Sequence, residues 1–230
     1  GYASLASEAW RSDAHTALEA LVTALNTSFA PRHVRGYVLG CQEAGCWHIP
    51  DARDTSAANT AGFQRWLKGR YNDAAALQRA WADTEVSFET AAVPERTAAV
   101  PERAGAGPGP VFAALPDMQR EVDFCRYTSE HTASIIAEFG GYIRKTAGKD
   151  VRIIVNYGFT YELPHNDAGH FALARLFDTD IDGFASPVSY YDRGLGGAGG
   201  MMGPVESAVA HGKQWFLIDD TRTGIARDPS

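Results

Sequence analysis

Cysteine is scarce in this chain, basic charge is outweighed, and long apolar runs are missing. The three cysteines, Cys41, Cys46 and Cys125, are odd in number and form no disulfide framework. Cys41 and Cys46 have no second pair at ligand spacing, which argues against a zinc site. No motif asks for another metal or a cofactor, and none is expected. Lysine and arginine total 21 against 28 acidic residues, for a net charge of −7. With no compensating basic run, a nucleic-acid partner is not expected. No stretch approaches the about 18 apolar residues that mark a membrane span, so no membrane partner is expected either. The chain starts at Gly1 without a signal-peptide pattern, so it reads as processed, tagged or truncated. With the odd cysteine count, a reducing, cytoplasmic setting is the expectation.

What is present is a chain of 230 residues, 45% hydrophobic, enough for one large domain or a piece of one. Its most telling stretch is Lys213–Gly224. The short apolar run Trp215-Phe216-Leu217-Ile218 has the length of a buried parallel strand and leads into Asp219, Asp220, Thr221, Arg222 and Thr223. An arginine there needs a carboxylate, and Asp219, Asp220 or Asp192 is the expected bidentate partner of Arg222. The competing reading is a helix N-cap at Asp220 or Thr221 beside a structural Asp–Arg pair.

Apolar periodicity predicts helices over 4–27, 57–82 (broken at Asn72-Asp73, with Asp73 as cap), 117–146 (stopped by Gly148), 168–177 and 204–211. On the long helix Val122, Phe124, Ile135, Ile136, Phe139 and Ile143 are expected to face inward. Short apolar runs predict strands at 34–41, 151–157, 181–186 and 215–218. Residues 84–116 hold a tandem repeat, Ala92-Val-Pro-Glu-Arg96 and Ala99-Val-Pro-Glu-Arg103, and then a Pro/Gly-rich run. Such a segment reads as a surface loop, which lengthens at little cost. The Gly-rich run 194–203 reads as a lid or a plain connection.

Strands alternating with helices argue an α/β fold with a parallel sheet. The strand ends carry Glu43 and Trp47, then Tyr157 and Tyr161, then Tyr190 and Asp192, then Asp219 and Arg222. In a parallel sheet these share one side. Aromatic faces stack on sugar C–H groups, while carboxylates and amides hold hydroxyls, so a carbohydrate-binding rim is the functional expectation. A tyrosine-rich rim without ligand is the bland counterpart. His131 and His211 read as satisfied helix histidines. His165 and His170 flank a strand end and could touch ligand. Glu8, Glu19, Glu121, Glu130 and Glu138 read as solvated charge on helix faces.

Several residues occur in an order and spacing that resembles one group. They are Gly36-Tyr37, Trp47, Phe63-Gln-Arg-Trp-Leu67 with Arg70-Tyr71, Ala76-Leu77 with Ala80-Trp81, Tyr157-Gly158, Gly169-His170, Ile181-Asp182, Ser186-Pro187, Tyr190 and Asp219-Asp-Thr-Arg-Thr223. The group is the β-galactosidase-like (β/α)8-barrel glycoside hydrolases, close to glycoside hydrolase family 42. The resemblance implies a TIM-type barrel of which this chain holds about strands four to seven. It also implies retaining double displacement on β-galactoside-type sugars by two glutamates about 5–5.5 Å apart. Further barrel segments or a homo-oligomer would then complete the fold.

The catalytic glutamates are not matched. The nucleophile position, two before Asp220, holds Ile218. The acid/base position holds Cys46 ahead of Trp47, or Gln42 in the alternative register with Glu43 one step late. Three readings stay open. Glu43 with Asp219 or Asp220 could replace the pair, with Trp47, Tyr157, Tyr161, Tyr190, Asp192 and Arg222 binding substrate. The barrel could instead be a non-catalytic carbohydrate-binding or structural homologue. Or Cys46 could serve as nucleophile beside His48, without an orienting third group.

Overall fold

The computed structural model describes residues 3–28, 33–41, 45–47, 53–95, 116, 118–148, 150–159, 168–187, 197 and 200–218. Among these residues four strands form one sheet: β1 Gly36–Leu39, β2 Arg152–Val155, β3 Gly183–Ser186 and β4 Gln214–Leu217. Their order in the sheet is the order in the chain, and every neighbouring pair is parallel. A doubly wound sheet reverses its strand order at a switch point, whereas this sheet steps in one direction, as a barrel wall does.

Among the described residues five α-helices accompany the sheet: α1 Glu8–Thr27, α2 Ala57–Arg70, α3 Ala74–Trp81, α4 Gln119–Ala147 and α5 Val205–Ala210. Their starts follow from local chemistry. Ser7, Ser56 and Asp73 cap α1, α2 and α3 by accepting from the backbone N–H of Trp10, Asn59 and Ala76. Gly148, at φ +88°, ends α4. None of the described helices is long and apolar enough to cross a membrane.

Register separates the two faces of the sheet. Leu39 pairs with Val155, Val155 with Phe184, and Phe184 with Trp215. That face packs under Ile135, Ile136, Phe139 and Ile143 of α4 and Ala208 of α5, with Trp10, Ala14 and Leu18 of α1 against the same core. The helix comes close because residue 140 is glycine: a Cβ there would sit 2.7 Å from Ile181 Cδ1. The opposite face carries Val38, Ile154, Ala185 and Phe216, and Val38 is 63% exposed. This inner face, away from the helices, leaves a β-branched side chain open to solvent at β1.

A second core joins α2, α3 and the first half of α4 through Phe63, Leu67, Leu77, Trp81, Phe124 and Tyr127. Val86 and Ala91 belong to it, so the start of the 84–116 segment is anchored by packing rather than lying loose on the surface. The second copy of the repeat lies outside the described residues.

Two expectations are corrected. The helix expected over 168–177 is a single 3-10 turn, Leu173–Leu176. Gly169 takes φ +85° and faces Thr132 so closely that a Cβ would lie 2.9 Å from its Oγ1, which stops an α-helix from starting there. Val122 is exposed rather than inward, because α4 turns Glu121 and Asp123 toward the second core instead.

The ends of the sheet differ in character. At the N-terminal ends, Asp182 Oδ2 accepts from Arg144 of α4 at 2.5 Å and from the Ile153 N–H at 2.7 Å. Lys213 Nζ donates to the carbonyls of Thr179 and Ile181 there, and desolvation pulls its pKa below the usual lysine value. These clamps tie α4, β2, β3 and β4 together at the face that in barrels serves stability.

Candidate functional site at the C-terminal strand ends

Parallel strands gather their C-terminal ends, here Leu39, Val155, Ser186 and Leu217, along one edge. Ile153–Val155 and Trp215–Leu217 are apolar up to that edge, where β3 ends in Ser186 and Asn156 follows β2.

Trp47 lies directly under this edge. Its indole N–H donates to Leu39 O at 3.1 Å, its ring tilts against Phe139, and it is 2% exposed. Its backbone adopts φ +59°, which lets the chain double back so that its N–H reaches Cys41 O at 2.9 Å. Tyr157 is fully buried; its hydroxyl donates to Ser129 O and accepts from Ala172 N, both at 3.2 Å. Burial raises its pKa, so it stays a neutral phenol. Both residues expected to stack on a sugar therefore hold the rim from beneath, and neither presents a free ring face. Glu43, Tyr161, Tyr190, Asp192, Asp219, Asp220 and Arg222 lie outside the described residues, as does the expected pairing of Arg222.

His170 builds the turn after β2. Its Nδ1 accepts from the N–H groups of Gly158 and Phe159, each at 3.2 Å. Two donors on one nitrogen fix the proton on Nε2. The ring is sandwiched between Tyr157 and Phe159, with centroids 5.0 Å away on each side. It is 1% exposed, so it shapes the rim instead of touching a ligand in solvent. Gly158 turns at φ +93° with Leu173 packed against it, which leaves no space for a side chain.

On β3 and β4, Ser186 Oγ accepts from the Trp215 indole N–H at 3.1 Å. Ile218 continues the ladder, its N–H donating to Ser186 O at 2.9 Å. Strand alternation puts Ile218 in phase with Phe216, on the sheet face away from the helices. The rim position at which the resemblance expects a nucleophile is thus held by an isoleucine on that inner face.

Two glutamates expected as solvated charge are not. Glu121 makes a two-point pair with Arg53, Oε1 at 3.1 Å and Oε2 at 2.6 Å, with both side chains largely buried. Glu130 accepts from the Trp66 indole, Arg126 and Arg175. Desolvation pushes its pKa up, but these three donors outweigh it and the carboxyl ends below its usual value. Neither lies at the strand ends. Among the described residues no group of three His, Cys, Asp or Glu side chains could hold a metal ion.

No sequence motif singles out Asn156. It follows β2 directly, in phase with Ile154, and its Oδ1 is buried without a hydrogen-bond partner. The signal was an alternation ending in a polar residue on the inner face.

The geometry defines an α/β protein whose parallel sheet winds in one direction with helices on one face. Comparison with solved structures agrees: the chain superposes on the crystal structure of a β-galactosidase from the psychrophilic Marinomonas ef1 with a TM-score of 0.54 and 19% identity. The match covers 81% of this chain and 24% of that one, so the chain spans about a quarter of that structure's length. At this identity the likeness is one of fold. No protein-family profile matches the chain. No curated protein matches it either.

Proposed function

We propose that this chain is a segment of a glycoside hydrolase-type barrel, with β1–β4 as strands four to seven, acting on β-galactoside-type or related sugars at its C-terminal rim. One observation carries the reading: four parallel strands in chain order end along one edge, at Leu39, Val155, Ser186 and Leu217, and in the sequence Glu43, Tyr161, Tyr190, Asp192, Asp219, Asp220 and Arg222 follow those ends. The fold shared with a β-galactosidase structure supports it. In this reading Glu43 and Asp219 or Asp220 supply acid/base and nucleophile for retaining double displacement. Among the described residues no strand pairs with the outer edge of β1 or of β4, and this together with the exposed Val38 favours completion by further barrel segments or a second copy.

A second reading, a barrel that binds carbohydrate without cleaving it, is favoured by Ile218, since an alkyl side chain on the inner face cannot attack an anomeric carbon. Turnover of 4-nitrophenyl β-galactoside by the purified chain separates the two. Hydrolysis abolished by Glu43→Gln or Asp219→Asn supports the first. Saturable galactoside binding that needs Tyr190, with no turnover, supports the second. Neither turnover nor binding to any glycoside sinks both.

A further inference from the structure

We propose that two copies of this chain close one eight-stranded barrel head to tail, β4 of each pairing in parallel with β1 of the other. The proposal rests on the barrel reading above and commits it to a second copy of this chain as what completes the wall.

Exposed apolar side chains follow the edges of the structure. Val38 on β1 is 63% exposed and Leu217 on β4 is 52% exposed, whereas Ile153, Val155 and Phe184 on the two inner strands are buried. The helix layer repeats the pattern. Leu21 of α1 is 51% exposed and Val209 of α5 is 57% exposed, and these are the first and last helices of the described chain. Four of the seven exposed large apolar residues thus lie on the two edge strands and the two end helices. On α1, His15 and Asn26 face α4, bonding Glu138 Oε1 and the Thr146 carbonyl. Leu21 lies roughly a third of a turn round the helix from both. It therefore sits on the flank away from α4, with the exposed Ala17 and Ala24. A helix flank of alanines and a leucine left open to water is the kind of surface a neighbouring helix covers.

The strand arrangement decides which neighbour fits. A (β/α) barrel closes with eight parallel strands, and the described residues supply four, in chain order without reversal. The free edges of β1 and β4 point opposite ways round the wall. Setting β4 of one copy beside β1 of the other repeats the parallel pairing that every internal pair already has. A two-fold axis along the barrel makes both seams identical and leaves no free edge. Two β1 edges brought together by a two-fold axis would instead run antiparallel, which a barrel wall does not contain. Across each seam the alternation continues: Trp215 and Leu217 extend the helix-side face of Tyr37 and Leu39, and Phe216 extends the inner face of Val38. Outside it, α1 leads into β1 and α5 leads into β4, so the flank of Leu21 meets the α5 of the other copy, where Val209 is open. One chain carries half of the rim, and the site at the C-terminal strand ends is complete only in the pair.

Sedimentation equilibrium of the purified chain tests this. The parent should weigh twice its 24.8 kDa. Leu21→Lys and Val209→Lys should each weaken the dimer at least about tenfold, since each puts a charge into an apolar contact. Both positions are exposed in the single chain, so circular dichroism should show unchanged helix. Leu21→Lys/Val209→Glu should regain the dimer, because the seam sets these positions of different copies together. A parent of 24.8 kDa overturns the proposal and leaves the wall to further barrel segments, and an assembly larger than two overturns it as well. A dimer weakened by only one lysine means that like edges meet, and one weakened by neither means that it pairs elsewhere; both overturn it, as does a double variant no tighter than the singles. Galactoside binding or turnover is followed in the same samples. Sugar bound by a single 24.8 kDa chain sinks this proposal alone, whereas a dimer that responds to the variants but takes no glycoside sinks the carbohydrate reading alone.

Discussion

The indole N–H of Trp81 reaches Asp123 Oδ2 at 2.8 Å, joining the last residue of α3 to the first turns of α4. The same oxygen accepts from Tyr71 OH at 2.5 Å, while Oδ1 accepts from Gln119. A carboxylate that is 1% exposed is tolerated because three side chains replace the water it lost. Two of the aromatic residues that made the α2–α3 segment resemble the barrel hydrolases, Tyr71 and Trp81, are therefore partners of one buried acid. Asp123→Ala orphans the Trp81 and Tyr71 donors and should lower stability by about 3 kcal/mol. Urea unfolding measures it, and a change inside experimental error would refute the network as a stabilising unit.

Arg53 and Glu121 form the other buried charge in this core, and Arg53 also donates to Pro94 O and stacks over Phe124. Removing one partner leaves the other charge buried, so Arg53→Met should cost about 3–5 kcal/mol. The double variant Arg53→Met/Glu121→Leu should recover much of that loss. Two additive single effects in a double-mutant cycle would show that the pair does not couple.

Acid stability should fall in two stages. Burial holds the His131 imidazole below its usual pKa of 6.5, and the charges of Arg11 and Arg65 push the same way. The unfolded chain then takes up the proton first, so stability is complete above about pH 6.5 and drains as the pH falls below it. Glu130, held below its usual value by its donors, contributes above about pH 4.5 and loses that contribution as the pH falls further. His131→Phe keeps the stack on Tyr127 and should flatten only the upper stage. A melting temperature that stays as steep between about pH 6.5 and 5.5 in the variant would place the effect elsewhere.

His170→Phe preserves the aromatic sandwich but removes the acceptor for Gly158 and Phe159 N–H. It should cost about 1–3 kcal/mol and loosen the turn after β2, read as faster amide exchange at both residues. Native-like protection at Gly158 and Phe159 would mean that the turn holds itself.

The sequence by itself determined the alternation of strand and helix, the Asp73 cap, the Gly148 stop and the parallel sheet. Those features depend on neighbours a few residues away, through apolar period, a side chain reaching its own backbone, or a glycine accepting positive φ. What only the tertiary structure decided depends on residues distant in the chain. Trp47 and Tyr157 read as rim aromatics, yet they are buried because Leu39 O, Ser129 O and Ala172 N lie where their polar atoms can bond. Glu121 reads as a solvated charge until the fold brings Arg53 to it, 68 residues back. Residues 168–177 have a helix's composition, but the close approach of Gly169 to Thr132 leaves space for one 3-10 turn. Asn156 reads as an interior residue of a strand over 151–157, and only the pairing of β2 with β1 aims it at the inner face with an oxygen left unbonded. Local pattern sets which elements form, because backbone hydrogen bonds are satisfied locally. Burial and pairing of polar groups are set by contacts across the fold, which no local pattern encodes.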